Sequence, residues 1–301
     1  MKVLETKAAL REALAAPRHE GRTIGLVPTM GFLHAGHISL IERARADCDV
    51  VVMSLFVNPT QFAPGEDLES YPRDRERDEH MAAEGGADLI YAPAVEEMYP
   101  AGFATTVEVD GLTEILCGEP ESRGPEHFSG VTTVVAKLLN TVGPDVAYFG
   151  QKDAQQAIVI RRMASDLDFP TRIEVCPTIR ESDGLALSSR NAYLKPADRE
   201  RAPALNKALQ AAAGNARPGA ATADAIAAAH QVLADAGIEP EYVEARDAER
   251  LAPIETFNGR PVLLALAAHV GGARLIDNVI IEPEAPSGTA GAAREDRSNH
   301  A

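Results

Sequence analysis

Cysteine is scarce in this chain: Cys48, Cys117 and Cys176 are the only three in 301 residues. An odd, widely spaced set supports neither a disulfide framework nor a zinc site, so these read as reduced thiols in a core. Positive charge is also short, with 29 Lys and Arg against 45 Asp and Glu and a formal net charge of −16. Such a surface repels a polyanion, which excludes extended nucleic-acid binding and requires any anionic ligand to be met by a local cluster of cations. No apolar stretch reaches the length that crosses a bilayer, and residues 1–7 lack the apolar run and cleavage site of a secretory signal. No membrane partner is expected, and the cytoplasm is the default location.

Hydrophobic residues make up 45% of the chain, enough over this length for one large or two modest domains with a real core. From the start to residue 179, strand-like segments at 24–27, 50–57, 89–91, 146–149 and 172–175 alternate with helical ones. Their near-continuous apolar character is that of strands buried on both faces, which reads as an α/β fold with a doubly wound parallel sheet. Between two of these strands, Val131, Val134, Val135, Leu138, Leu139 and Val142 keep a helical period that Gly143-Pro144 ends. After residue 191, alanine-rich helices at 199–213 and 222–236 precede strands at 242–244, 262–267 and 274–281, which fits a smaller C-terminal α+β domain. The expected organisation is 1–179, 180–282 and a disordered tail at 283–301 with little to bury. The acidic stretch 65–80 reads as a solvated loop and mixed-charge helix, and its charge alone assigns it no chemistry.

Four short segments carry candidate chemistry, each leaving a predicted strand. In Val27-Pro28-Thr29-Met30-Gly31-Phe32-Leu33-His34-Ala35-Gly36-His37, two histidines flank a glycine where a strand gives way to a helix. A helix start offers unpaired N–H groups to phosphate, Gly36 lets an anion approach the main chain, and imidazoles can donate hydrogen bonds without permanent charge. A surface loop residue and a helix cap would produce the same pattern. Phe149-Gly150-Gln151-Lys152-Asp153-Ala154-Gln155-Gln156 repeats the architecture: Gly150 permits a turn, Lys152 supplies a mobile charge, and Gln156 lies a helical turn further on. Asp183-Gly184-Leu185-Ala186-Leu187-Ser188-Ser189-Arg190-Asn191 offers hydroxyls and a guanidinium that could clamp a triphosphate, although it also reads as an ordinary turn. Phe56-Val57-Asn58-Pro59-Thr60-Gln61-Phe62 brings polar Asn58 and Gln61 to the carboxyl edge of the sheet, where open α/β sheets bind ligands.

Taken with Leu275-Ile276-Asp277-Asn278, these segments and their order resemble the pantoate–β-alanine ligase family of the nucleotidyltransferase-like superfamily, from near the N-terminus to about residue 282. The resemblance implies a Rossmann-like domain for ATP and pantoate, a small C-terminal lid and a homodimer. It implies that pantoate and ATP form pantoyl adenylate and pyrophosphate, after which β-alanine gives pantothenate and AMP. Carried over by position, Met30, Gly31, Phe32, Leu33, His34, Ala35, Gly36, His37, Gly150, Gln151, Lys152, Asp153 and Ile179 match ATP contacts. Leu187, Ser188, Ser189 and Arg190 match a closing loop that also meets ATP. Gln61 and Gln156 match pantoate-binding positions, with Gln61 also near β-alanine. Catalytic roles fall to His37, as proton donor, with His34, Lys152, Ser188, Ser189 and Arg190. Mg²⁺ bridging the phosphates is implied without an assigned protein ligand. One departure concerns Ser122-Arg123-Gly124-Pro125-Glu126-His127-Phe128, one residue longer than the family's usual segment, which leaves Arg123 off the expected site. Rival readings are a nucleotidyltransferase that stops after adenylyl transfer to a phosphate ester, and a nucleotide-sensing module. Neutral amides at Gln61 and Gln156 favour a hydroxylated acid as acceptor; His37, Lys152 and Arg190 argue against mere sensing.

Overall fold

The computed structural model describes residues 1–63 and 65–282, so the tail expected at 283–301 lies outside the described residues. The chain runs β1 (Lys2–Leu4), α1 (Lys7–His19), β2 (Ile24–Thr29), α2 (Ala35–Asp47) and β3 (Val50–Leu55). It continues through α3 (Arg75–Glu84), β4 (Leu89–Tyr91), α4 (Val95–Met98), α5 (Pro125–Val142), β5 (Val146–Gly150), α6 (Ala154–Asp166) and β6 (Arg172–Cys176). The remainder comprises α7 (Pro196–Arg201), α8 (Ala204–Gly214), α9 (Thr222–Asp235), β7 (Pro240–Asp247), β8 (Val262–Val270) and β9 (Ala273–Ile281).

The first six strands form one sheet in the order β1-β4-β3-β2-β5-β6, and every pairing in it is parallel. Alternation along β3 shows why both faces must be covered. Val50 and Val52 join Leu10 and Leu14 of α1 and the apolar face of α5 in one core, while Val51 and Met53 join Leu40 and Ile41 of α2 and Ala82 of α3 in another. The left-handed Gly143 caps α5, as its position after the helical period anticipates. All three cysteines are free and buried. The smaller C-terminal domain pairs β7-β8-β9 as an antiparallel sheet, with α8 and α9 packed on it through small side chains such as Ala208, Ala212, Ala225 and Ala229. No described helix is long and apolar enough to cross a membrane.

Three expectations need correcting. β1 has no counterpart among the expected strands, because three residues give too short a pattern to show a period. The helix expected at 199–213 is two, α7 and α8, since Pro203 stands between them and cannot donate to a continuous ladder. The stretch 65–80 is not uniformly solvated: Asp78 on α3 is 1% exposed.

The strand order divides at β2: β3 and β4 follow on one side of it, and β5 and β6 lie on the other. The connections leaving β2 and β5 therefore part to opposite faces and open a crevice at their carboxyl ends. Beside it, α5 packs on the 3₁₀ turn Pro59–Gln61 at Gly130, where a Cβ would lie 2.3 Å from the Thr60 carbonyl oxygen and 2.7 Å from the Gln61 nitrogen. Gly130→Ala should destabilise the protein. Overpacking against rigid backbone costs about 1–3 kcal/mol, more than the helix-propensity gain of about 1 kcal/mol. A urea midpoint equal to or above the parent's would contradict this packing.

Candidate active site

The crevice holds a cavity of about 230 Å³. Met30, His34, Gly36 and His37 reach it from the end of β2, and Asn58 and Gln61 from the end of β3. Gly150, Lys152, Asp153 and Gln156 reach it from β5 and α6, and Ile179 with Leu187, Ser188, Ser189 and Arg190 from the segment after β6. Four sequence segments are thus brought to one place. Gly31, Phe32, Leu33, Ala35 and Gln151 do not line it: Leu33 sits in the core and Gln151 bonds to Asn278. A larger cavity of about 390 Å³ adjoins on the side of the C-terminal domain and shares Arg123, Lys152, Gln156, Ser188 and Arg190 with it.

The turn after β2 is left-handed at Gly31 (φ +87°) and at Phe32 (φ +50°). A side chain at residue 31 would be strained and would also strike Leu55 Cδ1 at 2.7 Å and Asp78 Oδ2 at 2.9 Å. Asp78 explains how Phe32 tolerates this conformation. Its buried carboxylate accepts the N–H groups of Phe32 and Leu33, each at 2.7 Å, while Ser189 Oγ donates to the Phe32 carbonyl at 3.2 Å. Burial pushes the Asp78 carboxyl up from its ordinary value, and the two N–H bonds act against that rise. Sequence reading missed Asp78; the usable signal was its place four residues before buried Ala82, on the same face of α3.

This bracketed turn delivers His34 as the N-cap of α2. His34 Nδ1 accepts the Gly36 N–H at 3.2 Å, and His37 Nδ1 accepts the His34 N–H at 3.3 Å. The His34 ring fills the space a side chain at residue 36 would need, at 2.9 Å. With Nδ1 accepting in both rings, each neutral imidazole carries its proton on Nε2. The ring centroids are 4.0 Å apart. Burial, then the charge of Lys152, lowers the His34 pKa to about 4. Burial and the neighbouring His34 push His37 well below its ordinary value. Both rings are therefore neutral near pH 7 and present Nε2–H groups as hydrogen-bond donors.

Three cations edge the smaller cavity, each beside a carboxylate. Lys152 Nζ lies 3.1 Å from Asp153 Oδ1. Arg190 engages Asp67 through two bonds of 3.0 and 3.1 Å and lies over the Tyr71 ring. Arg123, left off the expected site because of its longer loop, lines both cavities and holds Glu66 through two bonds of 2.8 Å. Its guanidinium also meets His127 Nε2 at 3.2 Å, while His127 Nδ1–H donates to the Gln61 carbonyl at 2.7 Å. Burial, then Arg123, lowers the His127 pKa to about 3. The acidic stretch to which charge alone assigned no chemistry thus supplies the partners of two arginines.

The neutral donors are held differently. Asn58, 1% exposed, donates to the Gly130 carbonyl and to Gln61 Oε1, and accepts from Tyr99 Oη at 2.8 Å. Among the described residues, the Gln156 amide has no hydrogen-bond partner, although it lines both cavities. Gly150 corrects an expectation: its backbone is ordinary extended chain (φ −86°, ψ 137°), so the turn does not demand glycine, and open space lies where a Cβ would go.

The pantoate-beta-alanine ligase family model matches residues 2–280. The pantothenate synthetase of Moorella thermoacetica is 56% identical over 284 residues, covering 94% of this chain and 99% of its own. The crystal structure of pantothenate synthetase from Thermus thermophilus aligns with a TM-score of 0.87 at 48% identity, over 94% of this chain and all of that one. Pantoate-beta-alanine ligase from Francisella tularensis, complexed with beta-gamma ATP and beta-alanine, aligns with a TM-score of 0.76 at 34% identity, over 93% of this chain and 97% of that one. The chain belongs to the pantoate–β-alanine ligase family.

Proposed function

We propose that the chain joins pantoate to β-alanine at the expense of ATP, through a pantoyl-adenylate intermediate. The observation that carries this reading is the meeting of two Nε2–H imidazoles, Lys152 and the amides of Gln61 and Gln156 around one cavity. A pantoate carboxylate oxygen bonds to the α-phosphorus as the bond to the pyrophosphate oxygen breaks. The β-alanine amine then bonds to the activated carbonyl carbon and loses a proton, and AMP leaves. Carboxylate is a poor acyl donor; adenylation supplies the leaving group.

The work of the side chains is positioning and charge stabilisation. Lys152 and the Nε2–H groups of His34 and His37 face the charge that shifts onto phosphoryl oxygens. Because both rings are neutral in the free protein, they act first as hydrogen-bond donors, and His37 gains basicity only once phosphate anions stand against it. Gln61 and Gln156 suit an acid bearing hydroxyls, since amides pair with both without adding charge. Ser188 and Arg190 close on the nucleotide, whereas the Ser189 hydroxyl keeps the Phe32 turn in place. Arg190 exchanges Asp67 for phosphate as it does so.

ATP enters as its magnesium complex. Among the described residues there is no group of three or more His, Cys, Asp or Glu able to hold a metal, and Asp153, the carboxylate lining the smaller cavity, is engaged by Lys152. A hydrated ion carried by the phosphates needs few protein ligands. The ligands of the Francisella relative fit this reading; assembly as a homodimer rests on the family resemblance alone.

Omitting each substrate in turn tests the scheme. Pyrophosphate should require pantoate but not β-alanine, and AMP should require all three. AMP release without pantoate would sink it. Lys152→Ala should slow single-turnover pyrophosphate formation by ~10²–10³-fold with little change in unfolding midpoint; an unaltered rate would remove Lys152 from the mechanism.

The histidine tautomers make a separate prediction. In a ring-proton NMR titration of the free protein, His34 should protonate near pH 4 rather than 6.5. An unfolded chain takes that proton at 6.5, so the stabilising effect of the neutral ring is complete above pH 6.5 and is lost as pH falls towards 4. A His34 midpoint at the ordinary value would contradict the buried, Nε2–H arrangement.

A further inference from the structure

Leu275-Ile276-Asp277-Asn278 belongs to the pattern that marks the family, yet none of its side chains has a part in the chemistry above. Two of them are buried polar groups on β9: Asp277 is 3% exposed and Asn278 is 5%. Such groups stay buried only with their bonds made.

Asn278 makes all of its side-chain bonds to two residues. Its Nδ2 donates to the Gln151 carbonyl at 3.0 Å and to the Lys152 carbonyl at 2.8 Å, and its Oδ1 accepts from Gln151 Nε2 at 2.9 Å. Both amide protons and the amide oxygen are thus committed to the 3₁₀ turn Gln151–Asp153. Neither Gly150 before it nor Asp153 at the head of α6 makes a side-chain cap.

Asn278 is itself anchored by its neighbour. Asp277 accepts the Asn278 N–H at 2.8 Å and takes both arms of Arg180, at 2.6 and 2.9 Å. Arg180 also donates to the Gly184 carbonyl at 3.1 Å, within the segment leading to Ser188. Adjacent residues of one C-terminal strand therefore grip the turn that carries Lys152 and the base of the loop that carries Arg190.

We propose that Asn278 is a positioning residue for Lys152, through which the C-terminal domain sets the lysine's place at the reacting phosphate. The proposal rests on the reading of Lys152 given above. Its consequence is selective: adenylation depends on Asn278, and transfer of the finished acyl group to β-alanine does not.

Asn278→Asp is close to isosteric, but a carboxylate cannot donate to two carbonyl oxygens; Asn278→Ala removes all three bonds and serves where the charged variant is too unstable to purify. Each should slow single-turnover pyrophosphate formation from ATP and pantoate about 100-fold, the scale of an ångström of misplacement. Conversion of supplied pantoyl adenylate by β-alanine should change by less than about threefold. Placed in a Lys152→Ala background, the same substitutions should add little further loss, because the group they position is gone. An unchanged first step, an equal loss in both steps, or losses that multiply with Lys152→Ala would each overturn the proposal. If Lys152→Ala alone leaves adenylation intact, the reading of the site fails and takes the proposal with it; if only the Asn278 variants do, the site stands and the proposal falls.

Discussion

Parallel strands can be joined only by crossovers, and a sheet wound from its middle outwards must reverse direction somewhere. Here the reversal lies between β2 and β5, and the candidate site depends on it. Loops leaving those strands diverge to opposite faces, so their first residues line a crevice that no crossover covers. The histidine turn and the Lys152 turn are the two sides of that crevice. The Gln61 turn adds a wall from β3, and the segment after β6 folds back to add another. Residues as distant in the chain as Phe32 and Ser189 become neighbours through one feature of topology.

Charge in the crevice is balanced before any anion arrives. The chain carries a formal net charge of −16, and it meets the need for local cations by giving Arg123, Lys152 and Arg190 each a carboxylate partner. Partly buried pairs of this kind contribute little net stability, because desolvation offsets most of the attraction. Their effect is geometric: each cationic head is held at the cavity wall by its carboxylate. Asp78 differs from these carboxylates. Its nearest partners are the backbone N–H groups of Phe32 and Leu33, at 2.7 Å each, with Arg77 only at 3.9 Å, and it serves the turn.

The parallel sheet was legible because strands buried on both faces write apolar runs into the sequence, and the four segments that line the cavity because each follows such a run. What escaped notice has physical reasons. β1 is three residues long and pairs only with β4 at the sheet edge, so it leaves no period. Pro203 splits a stretch whose alanine content favours helix throughout, and composition averages over that single missing N–H. Asp78 lies in a run of alternating acids and arginines, where charge suggests solvent; only its register against Ala82 separates it from its neighbours. Arg123 reaches the site despite a longer loop because Glu66 and His127 fix its head, and those contacts depend on tertiary folding.

Two accounts of the histidine pair were open from sequence: a surface loop residue and a helix cap, or donors to phosphate. The structure shows why they need not compete. An imidazole has two nitrogens, and using Nδ1 to accept a backbone N–H fixes the proton on Nε2, at the far side of the ring. Capping is therefore the means by which each ring becomes a donor of defined direction, and removing the cap would release the tautomer as well as the helix end. The same economy recurs around the crevice. Asn58 satisfies backbone and side chain so that Gln61 is held by its neighbour, and the His127 ring joins the Gln61 carbonyl to Arg123. In these two cases a residue at the cavity, Gln61 or Arg123, is held by a polar neighbour that also bonds to the backbone. Such neighbours cannot be read from a motif, since their identity is set by which carbonyl or N–H the fold leaves unpaired beside them.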